Sequence, residues 1–300
     1  MSEAFFTDKA AVRQAFDRAA PAYDAAAVLQ REVVARMLER LQLIKVSPLR
    51  VLDAGCGTGQ ALAGLRQRYP DAQMLALDLA PAMLRELHKK QPTSIKSLFG
   101  LRDRQRPLLL AGDIEALPLA DDSVDVIWSS LTLQWCNTPD LAFGEFLRVL
   151  KPGGLLMFAT LGPDTLQELR AAFAGIDGYS HVNRFIDMHD LGDALGQQGF
   201  AAPVMEMEHL TLTYPDARAV MRDLKEIGAA NHTLGRRHGL FGKAAWQRVQ
   251  QQYEPFRREG VLPCTYEVIY GHAWKPERSA AKRLPDGAQI IEFRPRLGGV

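Results

Sequence analysis

The chain has 300 residues, a formal net charge of +1 and 47% hydrophobic residues, which is the composition of a globular protein with a sizeable core. A charge so close to zero excludes a global attraction to nucleic acid or to an anionic membrane, so a charged partner must meet a local patch. The three cysteines, Cys56, Cys136 and Cys264, are far apart and odd in number, which excludes a disulfide framework and favours a reducing compartment.

The sequence also allows predictions about the cellular location of the protein and its classes of partner. The N-terminus lacks a basic segment followed by an apolar stretch, so we expect no secretory signal. No run approaches the roughly 18 apolar residues that a membrane span needs. A basic domain with stacking aromatic residues is also absent from the sequence, so we expect no nucleic-acid partner. We therefore predict a cytoplasmic protein without a membrane partner, and we expect a monomer.

The first half of the chain alternates between strands and helices. Helical spacing of apolar residues predicts two helices within residues 8–42, with a break at Pro21 and with Tyr23 in the connection. Short apolar runs then predict strands, at 50–53, 74–78, 108–111, 124–128 and 153–160, separated by helices at 60–68, 81–90 and 139–150. This alternation predicts a parallel sheet with helices on both faces.

The pattern changes after residue 162. Helices are predicted at 163–174, 189–198, 215–230 and 243–258, and two further strands at 204–214 and 265–274. The predicted fold class is therefore α/β, a doubly wound, mainly parallel, seven-stranded, Rossmann-like sheet with N-terminal helices and a helical lid. We divide the chain into an N-terminal helical segment, 1–47, a main domain, 48–275, with the lid around 162–200 and 215–260, and a loosely ordered tail, 276–300.

The strongest motif is a glycine-rich loop between the first predicted strand and its helix, Asp53-Ala54-Gly55-Cys56-Gly57-Thr58-Gly59. Glycines let a ligand approach the backbone, and the N-terminus of the following helix offers free N–H groups to a carboxylate. In the dinucleotide fingerprint G-x-G-x-x-G, the sixth residue from Gly55 would be glycine, but it is Gln60 here. Together with Asp53 ahead of the glycines, this difference favours S-adenosylmethionine over NAD.

Two further aspartates end the second and third predicted strands. Asp78, followed by Leu79, is placed to accept hydrogen bonds from both hydroxyls of a ribose. Asp113, followed by Ile114, is placed to accept from an adenine amino group, although each of these aspartates could instead cap a helix. Because carboxyl ends of parallel strands meet at one edge of a sheet, we expect all three aspartates at that edge.

These motifs resemble the class I methyltransferase family over about residues 48–160, including residues 117–125 and the Pro152-Gly153-Gly154 turn before the fifth strand. The resemblance implies the doubly wound fold and S-adenosylmethionine as cofactor, with the segment 1–47 covering the cofactor site. It also implies a set of cofactor-binding residues: Tyr23, Asp53, Gly55, Cys56, Gly57, Gly59, Asp78, Leu79, Asp113, Ile114 and Leu131.

Further segments, most of them outside that region, narrow the resemblance to one group of methyltransferases. Residues 16–24, 131–136, 162–169, 183–185, 223–229 and 265–266 are similar to the malonyl-acyl-carrier-protein O-methyltransferases of biotin synthesis, and the likeness extends to about residue 274. This resemblance implies methyl transfer to the free carboxylate of a malonyl thioester on acyl carrier protein. The methyl ester would then enter pimeloyl, and so biotin, synthesis.

This reaction makes few chemical demands. A carboxylate is already ionised at neutral pH, so no general base is needed, and the sequence shows neither a metal cluster nor a Ser/His/Asp set. A cation must hold the carboxylate. Arg184 is the first candidate and Lys225 the second, although either would serve equally as a solvated surface residue. Tyr23 and Phe185 are predicted to line the pocket, with core packing as the alternative.

Acyl carrier proteins are acidic, so a carrier that delivers a malonyl group is expected to dock on a basic surface. The predicted lid carries an excess of basic residues, with the candidate contacts Arg222, Arg236, Arg237, Lys243 and Arg248, although a solvated helix face would show the same charges. The basic connection at 91–107 is longer than a crossover needs. The sequence leaves it open as an insertion, a second docking element or a disordered loop.

Two other functions stay open at this level. A small-molecule methyltransferase of another pathway, such as a quinone-pathway C-methyltransferase, would need a base near a ring carbon, and the sequence identifies none. The C-terminal half also resembles a methyltransferase-like assembly factor of respiratory complex I that is regarded as a protein hydroxylase. That resemblance predicts a protein partner and no methyl transfer. The fold alone cannot choose among these functions.

Overall fold

The computed structural model describes residues 6–91, 106–237, 239 and 241–277. The predicted basic connection and the predicted tail therefore lie almost entirely outside the described residues. Among the helices within these ranges, none combines the length and the apolar character that a bilayer span requires.

Seven strands form one sheet in the order β3-β2-β1-β4-β5-β7-β6. Strands β1 to β5 run parallel to one another, whereas β7 runs antiparallel to both β5 and β6. This sheet confirms the predicted doubly wound, mainly parallel fold. The strands are β1 Arg50–Ala54, β2 Gln73–Asp78, β3 Leu108–Ala111, β4 Val124–Ser130, β5 Leu150–Leu161, β6 Ala201–Tyr214 and β7 Leu262–Trp274.

Both faces of the sheet are buried. Because alternate residues of a strand point to opposite faces, Val51 and Trp128 belong to one apolar cluster, whereas Leu52 and Ile127 belong to the other. All four side chains have no solvent exposure. Helices cover both clusters, which explains why the central strands read as continuous apolar runs. A core of this kind holds the carboxyl edge of the strands in a fixed geometry.

Three helices precede the first strand, and three more lie between the parallel strands in the described part of the chain. They are α1 Lys9–Ala19, α2 Tyr23–Ala26, α3 Val28–Gln42, α4 Leu62–Arg68, α5 Pro81–Lys90 and α6 Pro139–Val149. The lid (residues 162–200 and 215–260) contributes α7 Gln167–Phe173, α8 Met188–Gln198, α9 Ala217–Glu226 and α10 Lys243–Tyr253. Single 3-10 turns lie at Leu133–Trp135 and Glu254–Phe256.

Helix α9 of the lid has a buried apolar face and an exposed basic face. Val220 and Leu224 are buried, while Arg222 and Lys225 on the same helix are exposed. Asp216 caps the helix, since its side chain accepts a hydrogen bond from the backbone N of Ala219 at 2.8 Å. The apolar stripe therefore fixes the helix on the core, and its basic residues are left facing solvent.

The structure differs from the predicted elements at two places that matter. Tyr23 opens the short helix α2 rather than lying in a connection. Strand β5 begins at Leu150, ahead of the Pro-Gly-Gly turn that suggested a later start. The pairing with β4 jumps from Val124–Leu150 to Val126–Leu155, so the turn residues are a bulge within the strand rather than its boundary.

Candidate active site

Residues from three parts of the molecule line one cavity of about 1020 Å³. It lies at the carboxyl edge of the parallel strands, the edge at which open α/β sheets bind ligands. Helix α1 and Tyr23 line it from the N-terminal segment, and α7 and α9 line it from the lid. Single-ligand pockets reach roughly 300–1,000 Å³, so this cavity has room for a cofactor and an acceptor together.

The glycine loop is held in a conformation that only glycine adopts easily. Gly55 has φ +85°, and a Cβ at this position would overlap the side chain of Thr132. Its backbone N–H donates to the carbonyl of Leu77 at 2.8 Å, which fixes the loop to the end of β2. Gly55 and Gly57 both line the cavity. The loop therefore presents bare backbone to a ligand.

Asp78 connects the loop to the next strand. One carboxylate oxygen accepts from the backbone N of Gly57 and the other from the backbone N of Ala80, each at 2.8 Å. Burial raises the pKa of Asp78 to about 6. Each oxygen has a further lone pair, and Asp78 lines the cavity, so the carboxylate can still accept from a pair of hydroxyls.

Asp53 lies beneath the loop rather than on the cavity wall. It is 2% exposed, and it is not among the residues that line the cavity. Its Oδ2 has no hydrogen-bond partner among the described residues. Burial raises the pKa of Asp53 to about 8, and the neighbouring Asp78 adds to the effect. Asp53 thus places an unsatisfied buried polar atom directly under the loop.

The adenine side of the predicted site lies after β3. Asp113 and Ile114 both line the cavity. Asp113 forms an ion pair with Lys9 of α1, which also pairs with Glu115. Lys9 therefore binds one oxygen of the predicted adenine acceptor and anchors the N-terminal segment over this part of the cavity.

Leu131 forms the wall after β4. It has a left-handed φ of +52°, and its backbone N–H donates to the carbonyl of Ala159 at 2.8 Å. A non-glycine residue in this region is strained, and such strain concentrates at functional sites. Leu131 lines the cavity together with the neighbouring Ser130, and its contact with the cofactor stays a prediction.

The N-terminal segment is fastened across the cavity by specific contacts. Asp17 accepts a hydrogen bond from the backbone N of Ala82 at 2.8 Å, and Asp24 pairs with Lys90. Tyr23 lines the cavity, and its ring lies 6.4 Å from that of Phe16. These contacts hold the N-terminal segment against this end of the cavity.

The residues predicted to bind the substrate do not all line the same cavity. Phe185 is buried and lines the large cavity, and the exposed Lys225 lines it too. Arg184 is exposed and does not belong to that wall. It lies beside an adjoining cavity of about 30 Å³ that shares Phe185. Of the two predicted clamp residues, the structure brings only Lys225 to the large cavity.

Two more residues that were predicted to bind the cofactor do not line the large cavity. Cys56 is 7% exposed, and Gly59 has a left-handed φ of +85°. A Cβ at Gly59 would overlap Leu87 of α5, so this glycine allows close packing between the loop and that helix. Both residues shape the loop from behind, and neither is among the residues lining the cavity.

Sequence reasoning missed several wall residues. Phe16, Trp135, Asn183 and His232 all line the cavity, and the rings of Phe16 and Trp135 lie 5.4 Å apart. Phe16, Trp135 and Asn183 fall inside segments that carried the family resemblance. The signal was therefore present, but a sequence does not show which way a side chain points.

One cluster of possible metal ligands lies in the described residues. Ligand atoms of Asp164, His209 and Glu267 lie within 4.8 Å of one another. The Nε2 of His209 lies 3.4 Å from a carboxylate oxygen of Asp164, and Glu267 accepts from the backbone N of Asp164 at 2.7 Å. These contacts account for the cluster without an ion.

The cofactor-side residues fit S-adenosylmethionine. The bare backbone of Gly55 and Gly57 suits the amino-acid end, and the paired oxygens of Asp78 suit a ribose. The side-chain oxygen of Ser130, which lines the cavity and has no hydrogen-bond partner among the described residues, offers an acceptor to the cofactor. A sheet of this order with this loop and these acids defines a class I methyltransferase. In agreement, a family model described as a methyltransferase domain matches residues 52–158.

Comparison with known proteins narrows the class to one family. A protein from Laribacter hongkongensis is 59% identical over 297 residues, covering 98% of this chain and 99% of that protein. A protein from Methylovorus sp. is 56% identical over 295 residues, covering 98% of each. Both are named malonyl-[acyl-carrier protein] O-methyltransferase. This chain belongs to the malonyl-[acyl-carrier protein] O-methyltransferase family.

A solved structure supports the fold independently. The YcgJ protein of Bacillus subtilis superposes with a TM-score of 0.55 at 14% identity, covering 82% of this chain and 99% of that one. At this identity the likeness concerns the fold alone. The relatives that span nearly the whole chain favour a methyltransferase over the respiratory-complex assembly factor.

Proposed function

We propose that this protein transfers a methyl group from S-adenosylmethionine to the free carboxylate of a malonyl thioester on acyl carrier protein, and that the methyl ester enters biotin synthesis. The observation that carries the proposal is the 59% identity to a malonyl-[acyl-carrier protein] O-methyltransferase across 98% of this chain. The geometry supports it, because one cavity joins a cofactor edge to a cationic lid.

S-adenosylmethionine, when bound, supplies an electrophilic methyl group. The chain itself must hold the carboxylate in line with that group and exclude water. Burial raises the pKa of Tyr23 above its usual range, with Asp78 and Asp24 adding to the effect, so its phenol stays neutral. Tyr23 and Phe16 therefore act as an apolar cover. No residue needs to remove a proton, because the acceptor is already ionised.

We assign the carboxylate clamp to Lys225 and keep Arg184 as the comparison residue. Lys225 lines the cavity and has no ion-pair partner in the part of the chain that the structure describes. Arg184 would have to reach the acceptor from outside the wall of the large cavity. An ammonium group without a competing carboxylate is available to bind the malonyl carboxylate as a charge-assisted partner.

For docking of the carrier, the five basic lid residues fall into two groups. A guanidinium nitrogen of Arg236 lies 3.7 Å from a carboxylate oxygen of Asp8 in the N-terminal segment, and one of Arg237 lies 3.1 Å from a carboxylate oxygen of Asp177 in the lid, so both arginines already form ion pairs within the protein. Arg222, Lys243 and Arg248 are exposed. Their charges have no ion-pair partner within the described ranges, and we assign the acidic carrier to these three.

We also assign the protein to the cytoplasm and a monomeric state. Cys56, Cys136 and Cys264 are unpaired, as is usual in a reducing compartment. Size-exclusion chromatography with light scattering tests the monomer, since a mass of twice 33.3 kDa would contradict it.

A small-molecule methyltransferase is the second candidate, because the cavity wall contains a histidine. His232 is 8% exposed, and burial lowers its pKa, so it is neutral at pH 7. A neutral imidazole can act as a base for an acceptor that must lose a proton. Methylation of a malonyl carboxylate should survive His232→Asn, whereas base-assisted transfer should not.

The direct test is methyl transfer with defined acceptors. The purified protein is incubated with methyl-labelled S-adenosylmethionine and malonyl-loaded carrier protein, and intact mass is measured. We expect a gain of one methyl group on malonyl-carrier and none on acetyl-carrier. If calorimetry shows cofactor binding but no methyl group is transferred, the proposal is contradicted and the assembly-factor function becomes the favoured one.

A further inference from the structure

We propose that Asn183 binds an amide of the pantetheine arm that carries the malonyl thioester, and so selects acceptors that have this arm. The inference rests on the proposed function and adds a subsite to it. Pantetheine is a slim chain with amide groups along its length, and coenzyme A carries the same arm as a carrier protein. Asn183 would accept a hydrogen bond from an arm N–H through its Oδ1.

The side-chain oxygen of Asn183 is a hydrogen-bond acceptor that no group in the described residues uses. Asn183 is 9% exposed and lines the large cavity. Its Oδ1 is buried and has no hydrogen-bond partner in the described parts of the chain. Buried polar groups are almost always paired, because an unpaired one costs free energy. An orphaned amide in a cavity wall therefore indicates a partner that arrives with the substrate.

Neighbouring contacts hold this part of the lid in place. The side-chain N of Asn231 donates to the carbonyl of Ser180 at 2.6 Å, and the backbone N of Ser180 donates to the carbonyl of Gly235 at 3.2 Å. The segment of Asn183 is thereby tied to the chain that follows α9, the helix of Lys225. The proposed arm contact and the proposed carboxylate clamp thus belong to the same side of the cavity.

The surroundings of Asn183 favour an arm amide over other ligands. Val182 and Phe185 next to it also line the cavity, so apolar side chains flank its amide. Ser180 and His181 add uncharged or weakly basic polar groups rather than a carboxylate. An acceptor oxygen would repel the malonyl carboxylate, whereas it suits an uncharged N–H donor. The folded surface of a carrier protein cannot enter the cavity that Asn183 lines, whereas a slim arm can.

A comparison of acceptors with and without the arm tests this proposal. We would measure kcat/KM of the wild type and of Asn183→Leu, a similar-sized apolar variant, with malonyl-carrier, malonyl-coenzyme A and the S-ethyl malonyl thioester, which lacks the amides. We expect a loss of roughly tenfold with both arm-bearing acceptors and no change with the S-ethyl thioester. A loss with malonyl-carrier alone would overturn the proposal, since it would indicate a contact with the carrier itself.

Matched controls separate the remaining outcomes. Thr233 carries a similar orphaned buried oxygen but does not line the cavity, so Thr233→Val should affect all three acceptors equally. An equal loss of Asn183→Leu on all three acceptors, or weaker binding of S-adenosylhomocysteine by calorimetry, would contradict the proposal. Failure of the wild type to methylate any malonyl acceptor would instead reject the proposed function, so the two failures are distinguishable.

Discussion

The cofactor side of the cavity and its lid side are built in different ways. Around the cofactor, the ligand-facing groups are largely backbone and short acids that follow consecutive strands, from Gly55 to Asp113. On the lid side they are side chains from segments far apart in sequence, such as Phe173, Asn183 and Lys225. The first kind of site is specified by local motifs, and the second only by the tertiary structure.

The two sides also differ in charge, and the difference matches their ligands. The cofactor edge holds the buried carboxylates Asp53 and Asp78, and burial raises the pKa of each. The lid presents exposed cations, among them Arg222 and Lys225. At neutral pH Asp78 is ionised, whereas Asp53 is protonated. The negative charge of Asp78 suits a cofactor that carries a sulfonium and an ammonium group, while a basic lid suits a malonyl anion. Changes on either side should therefore affect one ligand and spare the other.

The largest effect is expected from Gly55→Ala. The added Cβ would overlap Thr132, and φ +85° disfavours alanine, so we expect a loss of about 3 kcal/mol in the free energy of unfolding. Cofactor affinity should fall about a hundredfold or more, because the loop must move to relieve the overlap. Thermal unfolding and calorimetry with S-adenosylhomocysteine measure these effects.

Gly175 provides the control for that change. It has φ +70°, but no atom lies within 4 Å of a Cβ built on it. Gly175→Ala should therefore cost only about 1 kcal/mol of backbone strain and leave cofactor affinity unchanged. Equal effects of the two substitutions would mean that backbone strain alone, without the overlap, explains Gly55→Ala.

A smaller effect on the same side is expected from Asp78→Asn. Loss of a charged acceptor for ribose hydroxyls should weaken cofactor binding about 30-fold. The folded-state pKa of Asp78 is about 6, above the usual value of about 3.9. The wild-type carboxylate is thus ionised above about pH 6 and protonated below it. Since binding needs the ionised form, wild-type affinity should fall nearly tenfold from about pH 6.5 to pH 5.

The pH dependence distinguishes Asp78 from its neighbour. Asp53, whose pKa is raised to about 8, stays protonated throughout that range and should contribute no slope. Calorimetry on Asp78→Asn should therefore give an affinity that does not change between about pH 6.5 and pH 5. The same slope in the variant as in the wild type would assign the titration to another group.

The sequence predicts the cofactor side better than the lid side, and the reason is the same structural difference. Glycines, strand ends and following acids lie within a few residues of one another, so local motifs are enough to place Asp78 and Gly57 together. The sequence points to both Arg184 and Lys225, but which of them lines the cavity depends on how distant segments pack. The burial of Asp53 beneath the loop also depends on packing, and residue spacing does not reveal it.

On the lid side, Lys225→Ala should lower kcat/KM for malonyl-carrier by about 10- to 30-fold. The reason is the loss of a charge-assisted contact with the acceptor carboxylate. Cofactor affinity by calorimetry should stay unchanged, which is the opposite of the pattern for Asp78→Asn. Arg184→Ala is the matched comparison, and a larger loss there than at Lys225 would transfer the clamp to Arg184.

The smallest effect is expected at the docking surface. Reversing the charges of Arg222, Lys243 and Arg248 to glutamate should raise KM for malonyl-carrier several-fold at low salt, because exposed charges steer an acidic partner. The difference should shrink at high salt, and kcat should change little.

Two controls sharpen that result. With the S-ethyl malonyl thioester, which has neither a carrier protein nor phosphate groups, the same triple variant should retain its KM. Lys45 is exposed in the connection before β1, at the opposite end of the sheet from the cavity, so Lys45→Glu should leave KM for the carrier unchanged. Equal effects of Lys45→Glu and of a single reversal at Arg222 would mean that the carrier responds to overall charge rather than to the lid. In that case the difference between the cofactor side and the lid side would concern only the walls of the cavity and would not extend to the surface around its mouth.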